Sequence, residues 1–128
     1  MLYKKKILAL APITIFVLLG SFAVRQKERN LKVLPQDISD AKLDSIMHTY
    51  TKALGEDCKF CHSPSLKFGE KFDYASDQNP MKENARDMMR LVIDINKKYF
   101  YYDSTKRPEY LNTVTCITCH NGHAIPAH

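Results

Sequence analysis

The chain is short of several things, and each shortage excludes a class of protein. Without residues 1–23, its 19 lysines and arginines fall to 16 against 14 acidic residues, so the net charge drops from +5 to +2. No basic patch survives that subtraction, and nucleic-acid binding is set aside. Four glycines and six prolines in 128 residues exclude collagen and low-complexity chains. Apolar runs are too few for a polytopic membrane protein, and the length allows one domain but not two independent cores. No stretch reads firmly as a strand, no acid–base constellation stands out, and no histidine occurs between His62 and His120.

The one long apolar run lies at the start. Lys4, Lys5 and Lys6 precede a stretch from Ile7 to Val24, and Ser21-Phe22-Ala23 supplies small residues where a signal peptidase reads. Residues 1–23 are therefore expected as a signal peptide or an uncleaved membrane anchor. The apolar residues 7–24 just reach the length needed to span a bilayer. The leader has no cysteine, which excludes a lipid-modified leader cysteine. Either form puts the remainder on the periplasmic side of a bacterial cytoplasmic membrane, anchored or soluble after cleavage.

A linker over 24–36 leads to a folded domain over 37–128. A helix starts near Asp37 or Ser39, carries Leu43, Ile46, Met47, Tyr50 and Leu54 on one face, and stops at Gly55. Residues 63–78 read as a loop. Asn79-Pro80 opens a second helix whose Met81, Ala85, Met88, Val92, Ile95 and Tyr99 form an apolar stripe expected to turn inward. The last segment, 114–128, has room for a turn or two of helix. The expected fold is mainly α, small and loop-rich, with an apolar leader helix and a thin apolar inventory.

All four cysteines fall into two identical patterns, Cys58-Lys59-Phe60-Cys61-His62 and Cys116-Ile117-Thr118-Cys119-His120. C-x-x-C-H is the attachment signature of c-type haem. Two thiols on one tight turn each form a thioether to one porphyrin edge, and the following histidine faces the iron as its proximal ligand. Disulfides, a thioredoxin-like pair and a four-cysteine zinc site all leave the two histidines unexplained. The thioredoxin reading also lacks its βαβ pattern, and 54 residues between the pairs is far beyond zinc-ribbon spacing. The expectation is two haem c groups held by Cys58, Cys61, Cys116 and Cys119, with His62 and His120 on the irons. The haems supply the core that the sequence lacks.

Each iron has a further axial position. Met47 precedes Cys58 by eleven residues on the first helix, and Met88 sits on the stripe of the second. These are the expected distal ligands. His48 and Met89 each lie about 100° around their helices from those methionines, and His123 is too close to His120 to reach across the ring.

The string Ala53-Leu54-Gly55-Glu56-Asp57 running into the first motif, with Ala85-Arg86-Asp87-Met88, Ile95-Asn96, Val114-Thr115 and His120-Asn121-Gly122, resembles the cytochrome subunit of photosynthetic reaction centres. The resemblance runs from about Asp37 to Pro126. It implies a helix carrying the ligand methionine before each motif, with Met47 and Met88 at the matching positions. The family builds four haems from two such halves, and this chain has one half. Its connection from Asn96 to Cys116 is also longer than the family pattern.

The reading that follows is a di-haem electron carrier of an ordinary respiratory chain, taking electrons from one redox protein and giving them to another, a membrane respiratory complex among the candidates. The alternative is a di-haem enzyme such as a peroxidase with one open iron. Lys59, Lys67, Lys71 and Lys82 form either a solvated face or a rim that steers an acidic partner.

Overall fold

The computed structural model describes residues 29–126. The expected leader over 1–23, the apolar stretch 7–24 and His128 lie outside them. Among the described residues, no helix is long and apolar enough to cross a membrane.

Helix α1 spans Asp40–Leu54. The Ser39 hydroxyl caps it, accepting from the Lys42 amide at 3.3 Å, which satisfies one of the donors that a helix start leaves free. Gly55 ends it in the left-handed region at φ 68°. A 3₁₀ turn, Cys58–Phe60, follows, with Asp57 accepting from the Lys59 amide. Helix α2 runs from Pro80 to Tyr99 behind the Asn79 cap. A second 3₁₀ turn, Pro108–Tyr110, leads to the short helix α3, Cys116–His120. Three helices with long connections thus make up the expected mainly helical, loop-rich fold.

Two expectations need correcting. The loop over 63–78 contains a hairpin: β1, Ser63–Pro64, pairs antiparallel with β2, Phe72–Asp73, with Ser63 opposite Asp73 and Pro64 opposite Phe72. Strands two residues long leave no alternation for a sequence pattern to show. The second correction concerns α2. Its buried residues are Lys82, Arg86 and Asn96, whereas Met88, Leu91 and Tyr99 stand exposed. The most buried positions of α2 are polar, and Met88, Leu91 and Tyr99 are turned away from them.

That polar face works because each group finds a partner. Asn96, with no exposed surface, donates to the carbonyls of Leu111 and Val114 and accepts from the Val114 amide. It thereby pins the approach to α3. Lys82 Nζ donates to the carbonyls of Tyr74 and Ser76 at 2.8 and 2.6 Å. Arg86 donates to the Asn30 carbonyl, and Lys32 pairs with Asp77 at 2.7 Å. Unpaired, such groups would cost more than they return.

The two halves meet at glycines. The Gly122 amide donates to the Ala53 carbonyl at 2.8 Å. A Cβ built on Gly55 would lie 2.1 Å from the Gly122 oxygen. Only a residue without a side chain fits there, and only such a residue tolerates that φ without strain. Gly55→Ala should lower stability by about 2–4 kcal/mol, measured by denaturant unfolding, whereas Gly69→Ala, where nothing lies within 4 Å of the added carbon, should cost only the strain of its positive φ.

Candidate functional site

Both C-x-x-C-H segments fold as single tight turns, one a 3₁₀ turn and one the helix α3. All four cysteines are free thiols, with Cys58 and Cys119 exposed and Cys61 and Cys116 half-buried. No disulfide links either pair, and no group of three or more metal-ligating side chains assembles among the described residues. Burial raises the Cys61 and Cys116 thiols above their ordinary range, with Glu56 adding to the shift at Cys61. Their carbon-bound, uncharged thioether form suits these places better than a thiolate would.

The histidines complete the donor set. His120 Nδ1 lies 2.9 Å from the His123 carbonyl. Because a carbonyl only accepts, Nδ1 is the donor in that contact, and Nε2 is the nitrogen that could face a metal. The left-handed residue Asn121, at φ 46°, and Gly122, at φ 88°, turn the chain so that this carbonyl comes back to the ring. His62 is half-buried beside Tyr74, the ring centroids 4.9 Å apart and edge-on. Its imidazole is pushed below the ordinary range by burial, then by the charges of Lys82 and Arg86. A neutral ring is the form that binds a metal. Two unbridged cysteines per turn and a histidine at the end of each fit covalent haem.

The methionines fall on different surfaces. Met47 is half-buried on α1. Met88 is 46% exposed and lies on one side of α2 with Leu91, Ile95 and Tyr99, a run of apolar side chains that protein leaves largely uncovered. Met81 has its sulfur 3.6 Å from the Asn84 side-chain amide. Met89 faces a cavity of about 470 Å³ lined also by Ile46, Tyr50, Val92, Leu111 and Cys116. Burial, then Cys116, raises the Tyr50 hydroxyl above its ordinary value. His48 stands on the outside of α1, held by the Asp44 carbonyl at 2.9 Å.

Lys82 is not on the surface as a steering lysine. Its stem and ammonium are buried under the 74–77 loop, as described above. Lys59 remains outside, paired with Asp57 at 3.1 Å, and Lys71 lies over the Phe72 ring. Little in the residue pattern marks Lys82, Arg86 and Asn96 as buried clamps. Their i, i+4 and i+14 spacing on one helix face was visible, but polar residues on a helix face ordinarily mean solvent.

Paired cysteines on tight turns, each pair followed by a histidine in a small helical domain, mark a c-type cytochrome, an electron-transfer protein carrying covalent haem c. Residues 17–128 match the family described as photosynthetic reaction centre cytochrome C subunit, and the chain belongs to that family. It is also similar to a cytochrome c-554 of Chloroflexus aurantiacus (strain ATCC 29366 / DSM 635 / J-10-fl), 36% identical over 86 residues. The match covers 66% of this chain and 18% of that relative, so the chain spans only a small part of the protein it resembles. No solved structure matches.

The charged cluster beside the first motif gives a pH prediction. The Asp77 carboxyl is held well below the ordinary carboxylate range by hydrogen bonds from Lys32, Arg86, Asn30 and Lys82. A depressed carboxyl stabilises the fold above its unfolded pKa and loses that contribution as pH falls through the folded one. Asp77→Asn should therefore weaken the protein at neutral pH and flatten the stability loss below about pH 4, as followed by unfolding midpoints across an acid series.

Proposed function

We propose that the chain is a di-haem electron carrier on the periplasmic side of a bacterial membrane. One haem sits on Cys58 and Cys61 with His62, and the other on Cys116 and Cys119 with His120. The observation that carries this reading is the repetition: both turns hold free thiols and end in a histidine suited to iron. Bound haem supplies a reversible one-electron centre. The chain's own work is to tether it, give a nitrogen ligand, cover its faces and keep its two sites at fixed separation. The contact between Gly55 and Gly122 joins the segment entering the first motif to the segment leaving the second.

Met47 and Met88 are the proposed distal ligands. The apolar side of α2 bearing Met88, Leu91, Ile95 and Tyr99 is what a porphyrin face would cover. Without that cover, its exposure would cost about 25 cal/mol per Å². Met81 is engaged within its own helix, and Met89 faces the cavity between α1 and α2. A thioether favours reduced iron and keeps the sixth position closed, which suits a carrier. The proposed partners are a donor and an acceptor redox protein, a membrane respiratory complex among them.

A test follows directly. Met88→Ala should open the second site, giving a high-spin ferric signal and new cyanide binding, while Met88→His should keep it low-spin and lower that haem's potential. Met89→Ala should do neither. Low-spin irons with unchanged potentials in Met88→Ala would contradict the assignment.

A further inference from the structure

Two large apolar side chains receive no cover from the protein. Leu66 and Phe68 are 103% and 107% exposed, on the loop that joins β1 to β2. Met88, Leu91 and Tyr99, on the α2 face assigned above to a porphyrin, are only about half exposed. The wall of a cleft is shaded in that way, whereas Leu66 and Phe68 stand clear of any wall. The loop is nonetheless held. The Ser65 amide donates to the Lys71 carbonyl and the Glu70 amide to the Lys67 carbonyl, both at 3.2 Å. The Lys67 amide donates to the Ser65 hydroxyl at 3.1 Å, and Phe72 at the root is buried. An ordered tip that presents two such groups to water marks a surface that something else covers.

The position of the tip says what covers it. Asn30 donates to the Ala75 carbonyl at 2.8 Å, and Lys32 pairs with Asp77. Asp73, which ends β2, accepts from the amides of Ala75 and Ser76. The incoming chain and the root of the hairpin are thus tied together. Six residues separate Asn30 from Val24, the end of the apolar leader stretch, a span of at most about 20 Å. Phe68 is four residues from Phe72, at most about 14 Å. Tip and leader therefore reach one surface. Lys67 and Lys71 flank the tip, and Arg25 and Lys27 follow the leader, the charge that suits anionic headgroups.

We propose that the 65–71 tip is a membrane-contact site, with Leu66 and Phe68 entering the interface of an anionic bilayer beside the retained leader. This rests on the membrane-side placement above. Two side chains are too few to anchor a domain alone, but next to a leader their contact becomes intramolecular. Its effect is to fix orientation. β1 begins directly after His62, so the contact holds the first C-x-x-C-H turn toward the membrane, where a membrane-bound redox partner meets it.

The sequence has no tryptophan, so a single introduced one reports its own position. The full chain, matured with haem, is reconstituted into vesicles of phosphatidylethanolamine and phosphatidylglycerol, with and without bromine on the acyl chains. Comparing the two lipids at one position cancels the quenching by haem. Phe68→Trp should lose most of its emission in the brominated vesicles. Tyr102→Trp, exposed beyond the far end of α2, about 30 Å from the start of that helix, should keep its emission. If the chain floats with the vesicles but Phe68→Trp is unquenched, the hairpin contact alone is overturned, in favour of a protein partner. Equal quenching at the two positions would also overturn it. A chain that does not float overturns the membrane-side placement as well. The double variant Leu66→Ser, Phe68→Ser should leave the haem count and spectrum unaltered; a change in either would put the tip on a haem and overturn the proposal.

Discussion

Everything in this fold depends on an apolar partner that the polypeptide does not supply. Among the described residues, the buried hydrophobic core is Leu34, Ile38, Ala53 and Phe72. At roughly 1.5–3 kcal/mol each, they offset only a small part of the entropy of ordering about a hundred residues. Small domains in that position borrow a core from disulfides, metals or cofactors. Here the cysteines are free, and the apolar side of α2 is left outside. A covalent porphyrin at each C-x-x-C-H turn accounts for both observations.

The polar interior follows from the same constraint. With little apolar surface to bury between its segments, the chain joins them through directional contacts. Asn96 fixes residues 111–114 ahead of α3, Lys82 fixes residues 74–76 beside His62, and Arg86 reaches the backbone of Asn30. Buried hydrogen bonds of this kind specify geometry more than they add stability. They place each histidine relative to its neighbours, which is what an electron carrier requires of its protein.

How much of this was legible in the sequence depended on the range of the interaction. Ser39, Gly55 and Asn79-Pro80 mark helix ends through contacts within four residues, so both long helices were readable. The two C-x-x-C-H turns were readable as candidate haem sites because the whole pattern is complete within five residues. The hairpin was not, since Ser63–Pro64 and Phe72–Asp73 are too short to show alternation. The buried face of α2 was also hidden. Lys82, Arg86 and Asn96 look solvent-facing until Tyr74, Asn30 and Leu111 are brought to them, and a pattern read along one helix does not contain that information.

The family membership narrows the chemistry to a c-type cytochrome, yet the chain carries only two of the turns that bind it. The central claim is that both turns are loaded. Intact mass spectrometry of the protein purified from a host that matures c-type cytochromes tests it most directly. The account predicts a polypeptide carrying two covalent haems and no free thiol available to alkylation; a mass showing an unmodified chain, or one haem with two alkylatable cysteines, would contradict it.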